Sequence, residues 1–510
     1  MKKTISAFLI VLALLAATVG ASAQAGISSL PGGGWWEASQ IMNVGDDTAS
    51  VQFTPVVGLG VSGATAAGAS TTIDQDRSKT FGPGFGDVPL TMDDGFKGSA
   101  VVSSDQPIVA IGAVQNNYIN LGGDSVGVTG GRAGAQYPGI SGEDVGTTLV
   151  FPLVKNDFKG KTTTFYVQTV QAGTINAVYV MNEGADTYND SATTTLDGQM
   201  ATFSPDDVAT MPSGCSDSTC LGAVMFTSSV EMAGVYVEAN TGEDPAQVLL
   251  STRGFTPADF DTTVVIPALK SLWRGRTSGL QIANTSETNQ STITVTLTYQ
   301  AGSATSADGE QVVFEDVAPG SSVTFFPGLH GVFHGPFPAS TAPDDEFLGS
   351  AEIKSDQPMV AICNEDDFDA ANVTKQTVYA GFPKSAASGT VLFPLAKEFY
   401  KGMVTGLQIM NVGGDEIVLE ASFAFNTGSF DIADDKHGDQ IVLQPNEPFT
   451  FWGVTNWDAL YQELDGGFGA VTVVASGTGD TMIVGIAQEE EYPSGASNYL
   501  DTKNYEGFNQ

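Results

Sequence analysis

The stretch Gln40-Ile41-Met42-Asn43-Val44-Gly45 decides the fold of this chain, because it recurs three more times. Its counterparts begin at Gln168, Gln281 and Gln408, and each step along the chain has the size of one small domain. A second segment, Pro107-Ile108-Val109-Ala110-Ile111, recurs with the same spacing. Two markers that repeat in phase indicate a tandem array of one structural unit.

Each repeat has the pattern of a series of short β-strands. Apolar and polar residues alternate in residues 293–299, 418–423 and 470–474, which is the period of a half-buried strand. Turn clusters rich in Gly, Ser and Asp separate such runs, and helical periodicity is nearly absent. The sequence therefore predicts an all-β chain of four tandem immunoglobulin-like β-sandwich domains, forming an elongated rod.

The repeats set the domain boundaries. Residues 1–23 are a predicted signal peptide, and residues 497–510 form a C-terminal tail. Between them, β-sandwich repeats 1, 2, 3 and 4 are assigned to residues 24–146, 147–262, 263–388 and 389–496. Repeats 2 to 4 each open on an apolar segment, here called the leader strand, that ends in Lys155, Lys270 or Lys397.

The first residues have the form of an export signal. Lys2 and Lys3 make a basic start, residues 5–19 are apolar, and Ala-Ser-Ala at residues 21–23 is a small-residue cleavage site. No later apolar run reaches the roughly 18 residues that a membrane-spanning helix needs. We therefore expect a mature chain that begins at Gln24, is secreted to the extracellular space or cell surface, and does not insert into a membrane after cleavage.

The chain is strongly acidic, with a formal net charge of −38. Such a surface repels the phosphates of nucleic acid, so no nucleic-acid partner is expected. The charge keeps an exported protein soluble, in saline surroundings as well, and it also attracts cations. Solubility and divalent-cation binding both stay open as reasons for the acidity.

Three cysteines are few for an exported chain of this length. Cys215 and Cys220 lie five residues apart, and an oxidising compartment favours a disulfide that closes this small loop. The alternative is half of a metal site, but no second Cys or His pair accompanies it. Cys363 lies in an apolar, strand-like run and is expected to be a buried, small hydrophobic residue.

An acidic cluster near the end of repeat 3 is a candidate calcium site. Glu365, Asp366, Asp367 and Asp369 follow one another closely, and calcium takes six to eight oxygen ligands. No D-x-D-x-D-G loop is present, so solvated loop charges are the alternative. Apart from calcium, no cofactor is expected.

The sequence gives little support for an enzyme. Residues 58–63 fit G-x-G-x-x-G, but they fall in a predicted hairpin, whereas a dinucleotide site needs a following helix. Residues 123–127 fit G-x-S-x-G, but His330, His334 and His437 all belong to other repeats. We therefore expect a protein without catalytic residues.

The two ends of the array depart from the repeat pattern in opposite ways. Repeat 1 has little sequence ahead of Gln40 in which to place a leader strand. The tail after repeat 4, in contrast, is similar to a leader strand, because Tyr499 and Leu500 precede Lys503 and Tyr505. A strand is thus missing at the start and spare at the end.

This offset predicts head-to-tail self-association into a homo-polymer. The tail of one molecule would add a strand to the first repeat of the next, through main-chain hydrogen bonds. Trp35 and Trp36 lie beside the missing strand and suit such docking. The alternative is a frayed tail and a first repeat that starts on residues 27–30.

Three features resemble a tandem repeat of secreted and surface proteins of filamentous bacteria. They are residues 98–110, the F-P-L-x-K leader strands and the Gln-x-x-Asn strand. The resemblance covers most of residues 29–495 and concerns framework residues. It implies an extracellular, structural role and no activity.

The expected function is structural, as a subunit of a surface fibre, sheath or surface layer. The alternative is a secreted adhesin or ligand-binding protein that holds a surface polymer or a protein ligand with its sandwich-end loops.

Overall fold

The computed structural model shows an all-β chain. It describes residues 7–11, 35–115, 118–119, 125–126, 134–240, 249–273, 276–300, 309–327, 347–367, 376–400, 402–431, 441–451, 466–491 and 502–509. Within these ranges the strands pair almost wholly antiparallel, and no helix has the length and apolarity to cross a membrane. Short 3-10 helices lie at Asn182–Gly184, Pro205–Asp207, Ser218–Cys220, Pro257–Asp259 and Lys384–Ala386.

The strands follow the chain in sequence order. Repeat 1 and the segment before it contain β1 (Ala7–Val11), β2 (Trp36–Asn43), β3 (Ala49–Val57), β4 (Ala69–Ile73), β5 (Ser78–Pro83), β6 (Phe85–Gly86), β7 (Val88–Leu90), β8 (Gly98–Ser104), β9 (Ile108–Gln115), β10 (Tyr118–Ile119), β11 (Ser125–Val126), β12 (Gly134–Pro138) and β13 (Ile140–Ser141). Repeat 2 contains β14 (Gly146–Lys155), β15 (Lys161–Thr169), β16 (Thr174–Met181), β17 (Asp186–Thr193), β18 (Met200–Phe203), β19 (Leu221–Asn240) and β20 (Leu249–Arg253).

The second half of the chain continues the series. Repeat 3 contains β21 (Asp261–Ser271), β22 (Arg276–Asn284), β23 (Ser291–Tyr299), β24 (Gln311–Val317), β25 (Ser322–Phe325), β26 (Phe347–Asp367), β27 (Gln376–Ala380) and β28 (Phe382–Pro383). Repeat 4 and the tail contain β29 (Thr390–Glu398), β30 (Met403–Asn411), β31 (Ile417–Phe425), β32 (Ser429–Asp431), β33 (Ile441–Leu443), β34 (Pro448–Phe451), β35 (Gly467–Ser476), β36 (Ile483–Glu491), β37 (Thr502–Glu506) and β38 (Phe508–Asn509).

The chain divides into two compact units, Met1–Ala258 and Asp259–Gln510. Each unit therefore contains two of the sequence repeats. Within the first unit, side chains of repeats 1 and 2 share one buried cluster that includes Trp35, Tyr137 and Tyr166. Within the second unit, Val484 and Ile486 of repeat 4 join the buried core of repeat 3. The repeats are thus packed in pairs.

One pairing scheme recurs in every repeat. Repeat 1 has the strand orders β13-β1-β8-β3-β4 and β12-β9-β2-β5-β7, and repeat 4 has β32-β31-β35-β29-β38 and β34-β30-β36-β37. In repeats 2 and 3 a single long strand, β19 or β26, takes the place of the two consecutive strands that belong to separate sheets in repeats 1 and 4. The repeated sequence markers therefore correspond to repeated strand pairings.

The structure corrects the alignment of repeat 2. In the other repeats the glutamine of the recurring strand lies opposite an isoleucine: Gln40 opposite Ile111, Gln281 opposite Ile362 and Gln408 opposite Ile486. In repeat 2 the corresponding residue is Val235, and Tyr166 lies opposite it, whereas Gln168 pairs with Ala233. The alignment from sequence is wrong there by two residues, because Gln168 is a nearby glutamine at a different register position.

The asparagine of the Gln-x-x-Asn strand is a framework residue. The Asn43 side chain is fully buried, and its Nδ2 donates to the carbonyl oxygens of Asp47 (2.7 Å) and Ile73 (2.9 Å). Its Oδ1 accepts from the backbone N–H of Gly45 at 2.9 Å. The same arrangement recurs at Asn284 and Asn411. A buried amide with its bonds satisfied fixes the turn that follows the strand.

Candidate functional site

The leader strands of repeats 2 to 4 end in a recurring buried ion pair. Each lysine at the end of the leader contacts a buried glutamate of β19, β26 or β36. The three pairs are Lys155 with Glu238 (2.7 Å), Lys270 with Glu365 (2.8 Å) and Lys397 with Glu489 (2.5 Å). Four residues before each lysine lies a fully buried apolar side chain: Phe151, Ile266 or Phe393. The leader thus carries a core anchor and a charge anchor.

Buried hydroxyl groups hold the leader backbone at this point. The N–H of each leader lysine donates to a buried hydroxyl: Lys155 to Thr163 (3.1 Å), Lys270 to Ser278 (2.9 Å) and Lys397 to Thr405 (2.9 Å). In repeats 3 and 4 a buried tyrosine also accepts from the leader and donates to its carbonyl oxygen. These tyrosines are Tyr379, on Ala268, and Tyr505, on Leu395.

Repeat 1 fills its leader position with residues of the predicted signal peptide. Strand β1 pairs antiparallel with β8 on one side and with β13 on the other. Strand β29 of repeat 4 lies in the same way between β35 and β38. We call the position between β8 and β13 the leader slot of repeat 1.

The residues around the leader slot of repeat 1 differ from those of the other repeats. In the other repeats a hydroxyl residue, Thr163, Ser278 or Thr405, lies opposite the buried glutamate on the paired strand. In repeat 1 Glu37 takes the place of the hydroxyl residue, and Val114, which lies opposite it, takes the place of the glutamate. The hydroxyl of Tyr137 donates to the Glu37 carboxylate at 2.5 Å. Burial raises the pKa of Glu37 well above its usual value, although the bond from Tyr137 opposes the shift. The sequence repeats did not reveal Glu37, because it replaces a hydroxyl residue.

The tail closes repeat 4 of its own chain. Strand β37 pairs with β36, and β38 pairs with β29. Tyr505 is buried and has the contacts of Tyr379, so the segment Tyr505-Glu506-Gly507-Phe508 is the counterpart of Tyr379-Ala380-Gly381-Phe382. This part of the tail is therefore a closing strand and not a spare leader strand.

The remaining tail residues fall partly outside the described ranges. Tyr499 and Leu500 lie outside them, and Lys503 is described through its backbone pairing with Glu489. Donation of the tail to another molecule would require its release from repeat 4. Head-to-tail addition of this segment stays a prediction.

Of the adjacent tryptophans, Trp35 lies at the boundary of repeats 1 and 2, and Trp36 packs within repeat 1. Trp35 is 2% exposed and belongs to the cluster shared by these repeats. Trp36 packs edge-on against Phe85, with ring centroids 4.9 Å apart. In this structure Trp35 thus stabilises the contact between two repeats of one chain.

A charged network joins repeats 3 and 4. The Arg276 guanidinium contacts Glu365 of its own repeat at 2.8 Å and Glu490 of repeat 4 at 2.6 Å. Gln488 of repeat 4 accepts from Lys270 (2.7 Å) and donates to Glu365 (2.8 Å). Burial alone would raise the pKa of Glu365, but the two cations outweigh it and bring that pKa to about 2.

This network involves one of the calcium candidates. The Glu365 carboxylate is held by Lys270 and Arg276, a set of contacts that a metal ion would have to displace. Asp366 and Asp367 continue strand β26, and Asp369 lies outside the described residues. Within the described part of the chain, no group of three or more His, Cys, Asp or Glu side chains is placed to hold a metal ion.

A serine contact marks both joints within the pairs of repeats. The Ser99 hydroxyl donates to the carbonyl of Gly198 in repeat 2 at 2.5 Å, and the Ser350 hydroxyl donates to that of Asn446 in repeat 4 at 2.7 Å. Repeats 2 and 4 have alanine at the corresponding place, after Gly222 and Gly469. This alternation was present in the sequence and indicates a period of two repeats.

The cysteines have structural surroundings. Cys215 and Cys220 are joined by a disulfide, with Cα atoms 5.9 Å apart. Their carbonyl oxygens accept from the N–H groups of Lys159 and Asn156, each at 3.1 Å, so the loop holds the turn after the repeat 2 leader. Cys363 is fully buried near the carbonyl of Ala268, and burial raises the pKa of its thiol to about 12.

Comparison of the chain with protein-family models and with curated proteins gives no match. The site is therefore interpreted from its geometry.

Proposed function

We propose that the chain is an exported, non-enzymatic structural protein, a self-associating subunit of an extracellular fibre, sheath or surface layer. We further propose that its four repeats are tandem immunoglobulin-like β-sandwiches. The observation that carries the proposal is the charged joint between repeats 3 and 4.

That joint supports a structural role because it fixes the geometry within the unit. Arg276, Lys270 and Glu365 are all nearly buried, and residues of both repeats satisfy them. Buried charges are costly when a partner is displaced, so they favour a single arrangement of the two repeats. A protein that has to keep its form within an assembly benefits from such a joint.

The framework residues also support this proposal. The recurring residues that sequence analysis singled out make contacts that hold strands and turns together. Asn43, Gln281 and Tyr505 are examples, each with its buried polar atoms bonded to neighbouring strands. The residues that recur along the chain are thus those that hold each repeat together.

Electron microscopy and light scattering of the purified mature chain, residues 24–510, test the proposal. We expect filaments or sheets with a regular repeat, and a particle mass that rises with protein concentration. The variant Arg276→Met should give assemblies that are less regular, whereas the matched control Lys354→Met, which changes an exposed ion pair, should assemble as the parent chain does. Monomers at every concentration, with and without calcium, would contradict self-association.

A further inference from the structure

The leader slot of repeat 1 is filled by a segment that export removes. Strand β1 lies within the predicted signal peptide, residues 1–23. It lies between β8 and β13 and pairs with both. Cleavage before Gln24 would take β1 away. The inference therefore rests on the export that is part of the proposed function.

The start of the mature chain is a poor replacement for β1. In repeat 3 the core anchor Ile266 lies 15 residues before Gln281, and in repeat 4 Phe393 lies 15 residues before Gln408. The equivalent position ahead of Gln40 is Ala25. If the mature chain supplied a leader strand in the register of the other repeats, its core anchor would be the second residue, Ala25. A methyl group would then take the place of the large side chain that the other repeats bury there.

The other end of the chain is already engaged. Strands β37 and β38 complete repeat 4, and their residues also contact repeat 3. The Asn504 amide donates to the Thr377 hydroxyl at 2.7 Å, and the Glu506 carboxylate accepts from the backbone N–H of Ala380. Lending this strand to another molecule would open repeat 4, so a second copy of the chain is a poor donor.

The slot indicates the chemistry of its occupant. Strand β1 reads Ala-Phe-Leu-Ile-Val, which is wholly apolar. In the other repeats the leader has an apolar core anchor followed, four residues later, by lysine. Glu37 stands where hydroxyl residues accept the backbone N–H of that lysine, and Tyr137 corresponds to Tyr379 and Tyr505, which bond to the leader. Val114 stands where a glutamate holds that lysine in the other repeats, so the slot favours an apolar side chain at this position.

We propose that, once the signal peptide is removed, the leader slot of repeat 1 binds an extended terminal strand of a partner polypeptide. The strand runs antiparallel to β8, has a large apolar residue at its centre and has a second apolar residue four positions further on. Main-chain pairing with β8 and β13 supplies affinity, and the core pocket together with Val114 supplies specificity.

A leader peptide of this chain is a suitable probe. A synthetic peptide with the sequence of residues 388–400 contains the core anchor Phe393 and the basic residue Lys397. It is titrated into the mature chain, and into a capped chain in which the same sequence is joined ahead of Gln24 by a long Gly/Ser linker. Fluorescence anisotropy of the labelled peptide measures binding, and hydrogen exchange of the β8 amides locates it.

We expect one peptide to bind the mature chain, and binding to the capped chain to be weaker by about a hundredfold or more, because the tethered cap competes at a high effective concentration. The Phe393→Asp peptide should bind at least about tenfold more weakly than the parent peptide. Replacing Lys397 by Met in the peptide should strengthen binding to the mature chain, because Val114 stands where a glutamate holds the lysine in the other repeats.

Three results would overturn the proposal. Equal binding to the mature and capped chains would mean that the slot is not the binding site. Protection of the β8 amides in the free mature chain, equal to that in the capped chain, would mean that its own N-terminus closes the slot. Self-association that is lost on capping would make a second copy the occupant.

Two further measures keep these outcomes separate. If the uncapped mature chain does not fold, a protease site in the linker of the capped chain allows the cap to be cut, and excess labelled peptide should then exchange into the slot. Filament formation of both chains is followed by electron microscopy. Its absence would contradict the proposed function, while peptide binding would still test the slot.

Discussion

Arg276 of repeat 3 and Glu490 of repeat 4 form an ion pair of 2.6 Å across the joint between these repeats. The same guanidinium contacts Glu365 at 2.8 Å, so one cation serves carboxylates of both repeats. The Arg276 side chain is 8% exposed, whereas that of Glu490 is 27% exposed. The arginine is therefore the residue whose loss would leave the joint with unbalanced, nearly buried charge.

Replacement of Arg276 by Met should destabilise the second unit by about 3–5 kcal/mol, because one partner of a buried ion network is removed. Chemical unfolding of the full mature chain measures the loss. The matched control is Lys354→Met, since Lys354 pairs with Glu352 but is 62% exposed. That change should cost at most about 1 kcal/mol. Equal losses for the two variants would show that the joint does not depend on the buried network.

The tail should be needed for the stability of repeat 4. Tyr505→Phe removes the hydroxyl that bonds to Leu395 and should cost about 1 kcal/mol, whereas Tyr505→Ala also leaves a cavity and should cost about 3–5 kcal/mol. The matched variant Tyr379→Phe in repeat 3 should show a loss similar to that of Tyr505→Phe. Chemical unfolding and limited proteolysis measure these effects. Unchanged stability of Tyr505→Ala would indicate a frayed tail.

Acid should weaken the second unit within a defined pH range. The pKa of Glu365 falls from 4.5 to about 2 in the folded chain, since Lys270 and Arg276 outweigh the effect of burial. A carboxyl whose folded pKa is lowered stabilises the fold above its unfolded pKa, and this contribution is lost as pH falls through the folded value. Stability should therefore decrease between about pH 4.5 and about pH 2. Chemical unfolding at a series of pH values measures this slope, which should be smaller in Glu365→Gln.

Framework residues were the part of the structure that the sequence predicted best. The Asn43 strand and the leader strands recur because each repeat needs the same buried contacts. Strand alternation gave the all-β class, because side chains on a half-buried strand face core and solvent in turn. These features are local or strictly periodic, so one chain is enough to reveal them.

Features that depend on register or on contacts between repeats were missed. Tyr166 takes the place of the glutamine in repeat 2, and no local pattern distinguishes it from the nearby Gln168. Lys503 and Tyr505 follow each other in the order of residue types of a leader strand, yet the same segment closes repeat 4. Only the pairing with β36 and β29 decides between these roles. The alternation of serine and alanine at this position, with Ser350 in repeat 3, is visible in the sequence. Its structural role is known only from the hydrogen bond that Ser350 makes to repeat 4.

Cys363 should be inert in the folded protein. Its thiol is fully buried, and burial raises its pKa to about 12, so the reactive thiolate is scarce at neutral pH. Iodoacetamide should leave the native mature chain unlabelled at pH 8 and should label one cysteine after denaturation without reductant. Denaturation with reductant should expose two more thiols, those of Cys215 and Cys220. The Cys363→Ala variant is the matched control and should take no label without reductant. Rapid labelling of Cys363 in the native chain would show that the repeat 3 core opens on the timescale of the reaction.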